Sequence, residues 1–332
     1  MRSLITGGAG FIGSHLVELL LRAGDDVLVL DDLSTGRMEN LMAVEEDPRL
    51  QVVLGSVLDD ALVDRAVRAS DRVFHLAAAV GVHTIVDHPL ESLRTNLHGT
   101  EVVLDAAVRY RRPVLLASTS EIYGKNTADR LSEDSDRILG SPLLARWTYA
   151  AAKGLDEAIA HAHVVEHGLR AVIVRLFNTV GPRQRGRYGM VMPSLVGQAL
   201  RGEPMTVFGD GNQTRCFSYV ADIVRATRAL AEHPAAVGQA VNLGGGVEIS
   251  INELAERIRQ VVGSASPIEH VPYERAYGPG YEDMRRRVPD NSLACALVNF
   301  RPTTSIDDMI RSIADHQRAG RPGAEDAALT MA

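Results

Sequence analysis

Tyr149 and Lys153 stand four residues apart, so on a helix they share one face. There the ammonium lowers the phenol pKa, and a tyrosinate can act as a base near neutral pH. Of 35 basic residues only Lys125 and Lys153 are lysine; a lysine kept in such an arginine-rich background points to a need for lysine itself. Upstream, Ser118, Thr119 and Ser120 close an apolar run, where hydroxyls can hold a substrate hydroxyl, and Glu121 adds a carboxylate suited to move or order a proton. A Tyr-Lys pair on a solvated helix surface is the alternative, and the hydroxyls at the strand end weigh against it.

A second group lies at the N-terminus. Gly7, Gly10 and Gly13, with Phe11 and Ile12 between the last two, sit between a strand-like run and a helix-like run. Glycines there let the backbone turn tightly and approach a pyrophosphate, while the helix start supplies amide donors. Asp31 ends the next strand-like run, where a carboxylate accepts ribose hydroxyls and repels a ribose phosphate. NAD is the expected cofactor.

Apolar runs at 4–6, 27–30, 51–54, 72–76, 113–117 and 171–176 read as strands, and 14–22, 95–110 and 149–167 as helices. That alternation predicts an α/β fold, a Rossmann-like doubly wound parallel sheet with helices on both faces. After Asn178, prolines and glycines break the rhythm. We therefore expect an NAD-binding domain over 1–178, a smaller C-terminal substrate-binding lobe over 179–318, and a flexible tail over 319–332. Helices at 220–231 and 251–262 fall in the smaller lobe, and the strand at 240–243 is expected to return to the main sheet.

With 332 residues, 45% apolar and 23% charged, the chain has the size and composition of a large globular protein. A formal charge of −7 argues against nucleic acid, whose backbone demands clustered bases. No apolar run approaches a membrane span. Cys216 and Cys295 form no redox or metal spacing and read as reduced thiols, so a cytoplasmic enzyme without a metal is expected.

The motifs GGAGFIG, Leu76-Ala77-Ala78, TNLHGT, STSEIYG, YAAAK, RLFNTVGP and GDGNQTRCFSYVAD together resemble the extended short-chain dehydrogenase/reductase family of nucleotide-sugar epimerases, dehydratases and decarboxylases. The resemblance spans about residues 1 to 316. It implies a catalytic trio of Thr119, Tyr149 and Lys153. It implies cofactor contacts from Asp32, Ser34, Ser56, Val57, Leu76, Ala77, Ala78 and Asn96 besides the glycines and Asp31. It places a UDP-sugar against Ser120, Asn178, Val191 and Arg215. Many relatives carry Asp where Ser56 follows Gly55, so adenine recognition is expected to be looser here. The resemblance also implies a homodimer through helices 95–110 and 149–167; Ala152, Ala158, Ala160 and Ala162 permit close approach, within a subunit as well as between two.

Family reactions begin alike, with oxidation at the sugar C4, and then branch. Glu121 is usually absent from simple 4-epimerases, and Ser120 stands where glucose-type dehydratases carry an acid. Arg285, Arg286 and Arg287, ahead of Pro289 and Asp290, resemble the arginine stretch of UDP-glucuronate decarboxylases, with Arg287 the first choice to meet a sugar carboxylate or diphosphate. Decarboxylation of UDP-glucuronate to UDP-xylose is the favoured expectation, 4-epimerisation the next and 4,6-dehydration the third.

Overall fold

The computed structural model describes residues 1–81, 88–186, 190–277 and 283–320. Seven strands form its central sheet: β1 (Arg2–Thr6), β2 (Asp26–Asp31), β3 (Leu50–Leu54), β4 (Arg72–His75), β5 (Val114–Thr119), β6 (Ala171–Leu176) and β7 (Ala240–Leu243). They lie in the order β3-β2-β1-β4-β5-β6-β7 with every pairing parallel. The order reverses between β1 and β4, the doubly wound arrangement that opens a crevice at the carboxyl ends of those strands.

Both faces of the sheet are covered, which is why its strands read as continuous apolar runs. Successive side chains point to opposite faces, so Leu4 and Ile5 of β1 enter different cores. On one side α1 (Phe11–Arg22) packs through Leu16 and Leu20 against Val29 and Phe74. On the other, α2 (Asp60–Arg68), α3 (Pro89–Tyr110) and α4 (Thr148–His167) contribute Val63, Leu104 and Ala160. The helix expected from residue 95 starts at Pro89, because a proline at the first helical position gives up only an amide that has no partner there.

Beyond Asn178 the chain alternates between two cores. Helices α5 (Val191–Arg201), α7 (Ile251–Val262) and α9 (Ile306–Arg318) enclose Leu195, Leu254, Ile258 and Ile310 in a second cluster. A capping box between Ser250 and Glu253 fixes the start of α7. By contrast α6 (Val220–Glu232), β7 and α8 (Ser292–Val298) contribute Ile223, Val241 and Ala294 to the first core. The strand at 240–243 thus joins the main sheet as expected, while α6 packs with the main layer and not with the smaller lobe. Of the tail at 319–332, only Ala319 and Gly320 fall within the described residues.

Candidate active site

The carboxyl edge of the sheet gathers the cofactor candidates. Gly7 takes φ +72°, and a Cβ there would lie 2.8 Å from the Ala77 nitrogen. A Cβ on Gly13 would strike the Gly7 carbonyl oxygen, so helix and turn close only on glycine. Gly10 is the N-cap of α1 with no side chain capping it, which leaves the amides at Phe11 and Ile12 directed at a ligand. Asp31, buried at the end of β2, accepts from the Ala9 and Leu33 amides at 2.9 Å each. Burial pushes its carboxyl pKa up, against those two amides. Beside it Asp32 accepts from the Ser34 amide and hydroxyl at 3.0 and 2.6 Å, a turn that fixes the loop after β2.

Ser56 accepts from the Leu58 amide at 3.2 Å, and Val57 is buried against Gly99. After β4 the Ala77 amide donates to the Thr6 hydroxyl at 3.2 Å, and Ala78 follows. Asn96, buried on α3, holds Ala79 by both its amide and carbonyl, at 2.8 and 3.2 Å. Its side chain therefore pins the loop from behind. A cradle that only glycines permit, an uncapped helix start and a carboxylate at the second strand end together fit a dinucleotide.

Thr119, Tyr149 and Lys153 come together at the end of β5 and the first turns of α4. The Thr119 hydroxyl accepts from the Glu121 amide at 3.2 Å and faces the Tyr149 phenol. Burial, with Glu121 and Asp156 nearby, pushes the Tyr149 phenol upward. Lys153 is buried and its Nζ lies 3.0 Å from Asp156 Oδ2. Ser118 faces away and donates to Glu157, which Arg175 also grips, so these two serve the scaffold. Ser120 is buried in the short turn that carries Glu121.

Glu121 sits between two guanidiniums. Arg287 Nη1 meets its Oε1 and Arg146 Nη1 its Oε2. Burial alone would raise the Glu121 carboxyl; the two arginines outweigh it and hold it well below the usual carboxylate range. Arg287 also donates to Asn178 Oδ1 at 2.8 Å, and Asn178, at φ +31°, is fixed by its bond to the Cys216 carbonyl at 3.0 Å. Arg215 donates to Asp283 at 2.9 Å, and Arg146 approaches the same carboxylate at 3.5 Å. The other two arginines of the triplet point elsewhere: Arg285 pairs with Asp210 and Arg286 with Glu248. Val191 opens α5, half-buried.

Arg146, Asp283 and Asp156 were absent from the sequence reading. Arg146 stacks 5.2 Å from the ring of Trp147, the chain's one tryptophan, and lies three residues ahead of Tyr149. That spacing puts it one turn before the phenol, a signal available in the sequence once the helix start is known.

Residues 3–244 match the NAD dependent epimerase/dehydratase family, and the chain belongs to it. It is 41% identical over 305 residues to the UDP-N-acetyl-alpha-D-glucosaminuronate decarboxylase of Bacillus cytotoxicus, covering 92% of this chain and 94% of that one. It is 35% identical to UDP-glucuronic acid decarboxylase 1 of Arabidopsis thaliana, over 95% of this chain and 69% of the relative. The crystal structure of UDP-glucuronic acid 4-epimerase from Bacillus cereus, in complex with UDP-glucuronic acid and NAD, is similar with TM-score 0.86 and 30% identity, covering 95% and 98% of the two chains. The Rossmann-like fold and the NAD dependence expected from the motifs therefore stand.

Proposed function

We propose that this protein decarboxylates a UDP-uronate, converting UDP-glucuronate to UDP-xylose with bound NAD. The carrying observation is Glu121 held between Arg146 and Arg287, with its amide on the Thr119 hydroxyl and Tyr149 close by. Arg146, Arg215 and Arg287 gather around Glu121 and Asp283, a cluster of guanidiniums whose forks suit an incoming carboxylate. The Arg287 Nε–H is buried with no acceptor among the described residues, a donor left for such a group.

The Gly7, Gly10 and Gly13 turn would hold NAD, which would supply hydride uptake and return at the sugar C4. Tyr149 removes the 4-hydroxyl proton, Lys153 favours the phenolate, and Thr119 holds the oxygen. The oxidised uronate is a β-keto acid: its C5–C6 bond breaks, carbon dioxide leaves, and the electron pair passes into an enolate whose oxygen lies on Thr119 and Tyr149. Glu121 stays a carboxylate between its arginines, so it orders the water that protonates C5 rather than acting as the acid. Tyr149 then returns its proton to the C4 oxygen. Asn178, Val191 and Arg215 are assigned to the UDP moiety, and Asp31 to the adenosine ribose.

A second substrate, the 2-acetamido uronate, is favoured by the Bacillus cytotoxicus relative. The deciding experiment is mass spectrometry of products from UDP-glucuronate, its 2-acetamido analogue and UDP-glucose. Loss of carbon dioxide from a uronate supports the proposal and identifies the substrate. Unchanged mass at a new retention time makes the protein a 4-epimerase instead, and loss of water from the hexose a dehydratase.

A cytoplasmic homodimer belongs to the same reading. Leu155, Ala158, Ala162 and Val165 form an exposed stripe on α4, whereas Ala152 and Ala160 are buried inward. Both cysteines are free, as a reducing compartment would keep them. Among the described residues no helix is long and apolar enough to cross a membrane. Leu155→Glu is expected to yield monomers by light scattering.

A further inference from the structure

Asp156 is fully buried one turn beyond Lys153, and the reaction as proposed has no use for a carboxylate there. Its Oδ2 takes the ammonium at 3.0 Å, while its Oδ1 is buried with no hydrogen-bond partner among the described residues. Such an oxygen is uncommon in a native interior. Thr100 faces it from α3, but the Thr100 hydroxyl also lies 3.1 Å from His75 Nε2. His75 Nδ1 in turn lies 2.7 Å from the Thr6 hydroxyl, which accepts from the Ala77 amide at 3.2 Å. A buried polar chain thus runs from Lys153 beneath the glycine cradle. His75 is neutral within it, since burial and then Lys153 push its pKa down to about 3.

We propose that Asp156 is a positioning residue that sets the proton affinity of Tyr149, by taking up part of the Lys153 charge that would otherwise stabilise the phenolate. The proposal rests on Tyr149 being the base. Tyr149 must accept a proton in the first half of the cycle and return it in the second, so a phenol made too acidic would fail at the return. Several other charged or titratable groups surround it. Glu121 faces Tyr149 and is offset by Arg146 and Arg287. Glu157 neighbours Asp156 and is offset by Arg175. Arg137 lies over Gly154 and donates to the Ala150 carbonyl at 3.3 Å. Asp156 alone among these carboxylates shares its cation with the base.

The test is the pH profile of kcat/KM on the uronate that the protein turns over. Asp156→Asn keeps the shape and removes the charge. Its acid limb is expected to move about one pH unit lower, so that below the wild-type limb the variant is roughly tenfold faster relative to its own plateau. Asp156→Glu restores the limb. Thr100→Val, which removes a hydroxyl facing Asp156 and no charge, moves it the same way by less, and it decides the matter if the Asn variant does not fold. A merely structural role would lower the plateau and leave the limb in place; an unmoved limb in the folded variants overturns the proposal. Tyr149→Phe is run alongside. If it is inactive, an unmoved limb sinks the Asp156 proposal alone; if it remains active, the base assignment and this proposal both fall.

Discussion

Arg146, one helical turn ahead of Tyr149, occupies the oxygen of Glu121 that Arg287 leaves open. The two cations make the carboxylate's position a property of three chain segments: the turn after β5, the approach to α4 and the arginine triplet.

Removing Arg146 is therefore expected to act on turnover. Arg146→Ala leaves Glu121 with one cation, and loss of one partner of a buried pair costs on the order of 3 kcal/mol. The kcat on the uronate should fall roughly 100-fold, with bound NAD unchanged as measured by absorbance after denaturation. Arg146→Lys should recover little, since an ammonium does not span Glu121 and Asp283 as a guanidinium fork does. Activity within twofold of wild type would show that Arg287 alone positions Glu121.

Arg287 should discriminate between substrates. Calorimetric titration of Arg287→Ala is expected to show about 30-fold weaker binding of UDP-glucuronate, the size of a lost charge-assisted pair of about 2 kcal/mol. Binding of UDP-glucose should change by less than about threefold, on the same free-energy scale. Equal losses would mean that Arg287 meets the diphosphate.

The fold was legible because its signals are local and repeated. Apolar strands alternate with helices, and a glycine turn follows β1. The candidate trio was legible as a cluster because Tyr149 and Lys153 share one helix that starts beside the end of β5. What escaped was the pairing between distant segments: Arg146 and Asp283 are far apart in sequence and meet only in the folded site. Asp156 escaped for another reason. A carboxylate beside a lysine reads as an exposed helix pair, and only the packing of α3 on α4 buries it. Arg285 and Arg286 read the same as Arg287 in sequence, and only burial separates them, 81% and 39% of their side chains being exposed against 8%.

His15 links the cofactor helix to the loop at Pro182, whose carbonyl lies 3.1 Å from its Nε2. Burial above all pushes its pKa down, to about 4 from an ordinary 6.5, with Arg183 adding to the effect against the Pro182 carbonyl. The unfolded chain therefore takes up this proton first as pH falls. Stability contributed by neutral His15 is full above pH 6.5, declines below it and levels off near 4, the loss reaching about 2 kcal/mol at pH 5. Thermal melts at pH 7 and pH 5 should show His15→Asn with a smaller drop than wild type. An equal drop would place the acid sensitivity elsewhere.

Glu121 should matter after oxidation, not before it. Its two arginines hold its carboxyl well below the usual range, and in the proposed reaction it orders the water that protonates C5, where Glu121→Gln presents an amide donor in place of an acceptor. The variant should still oxidise the uronate, so NADH absorbance should rise in a single turnover and decay at least about tenfold more slowly than in wild type, the usual scale of a lost acid-base group. Product analysis should find the pentose reduced and the 4-keto sugar accumulated. If oxidation itself slows by the same factor as product formation, Glu121 serves to place Thr119, whose hydroxyl accepts from the Glu121 amide. Normal pentose yield from the variant would remove it from the reaction altogether.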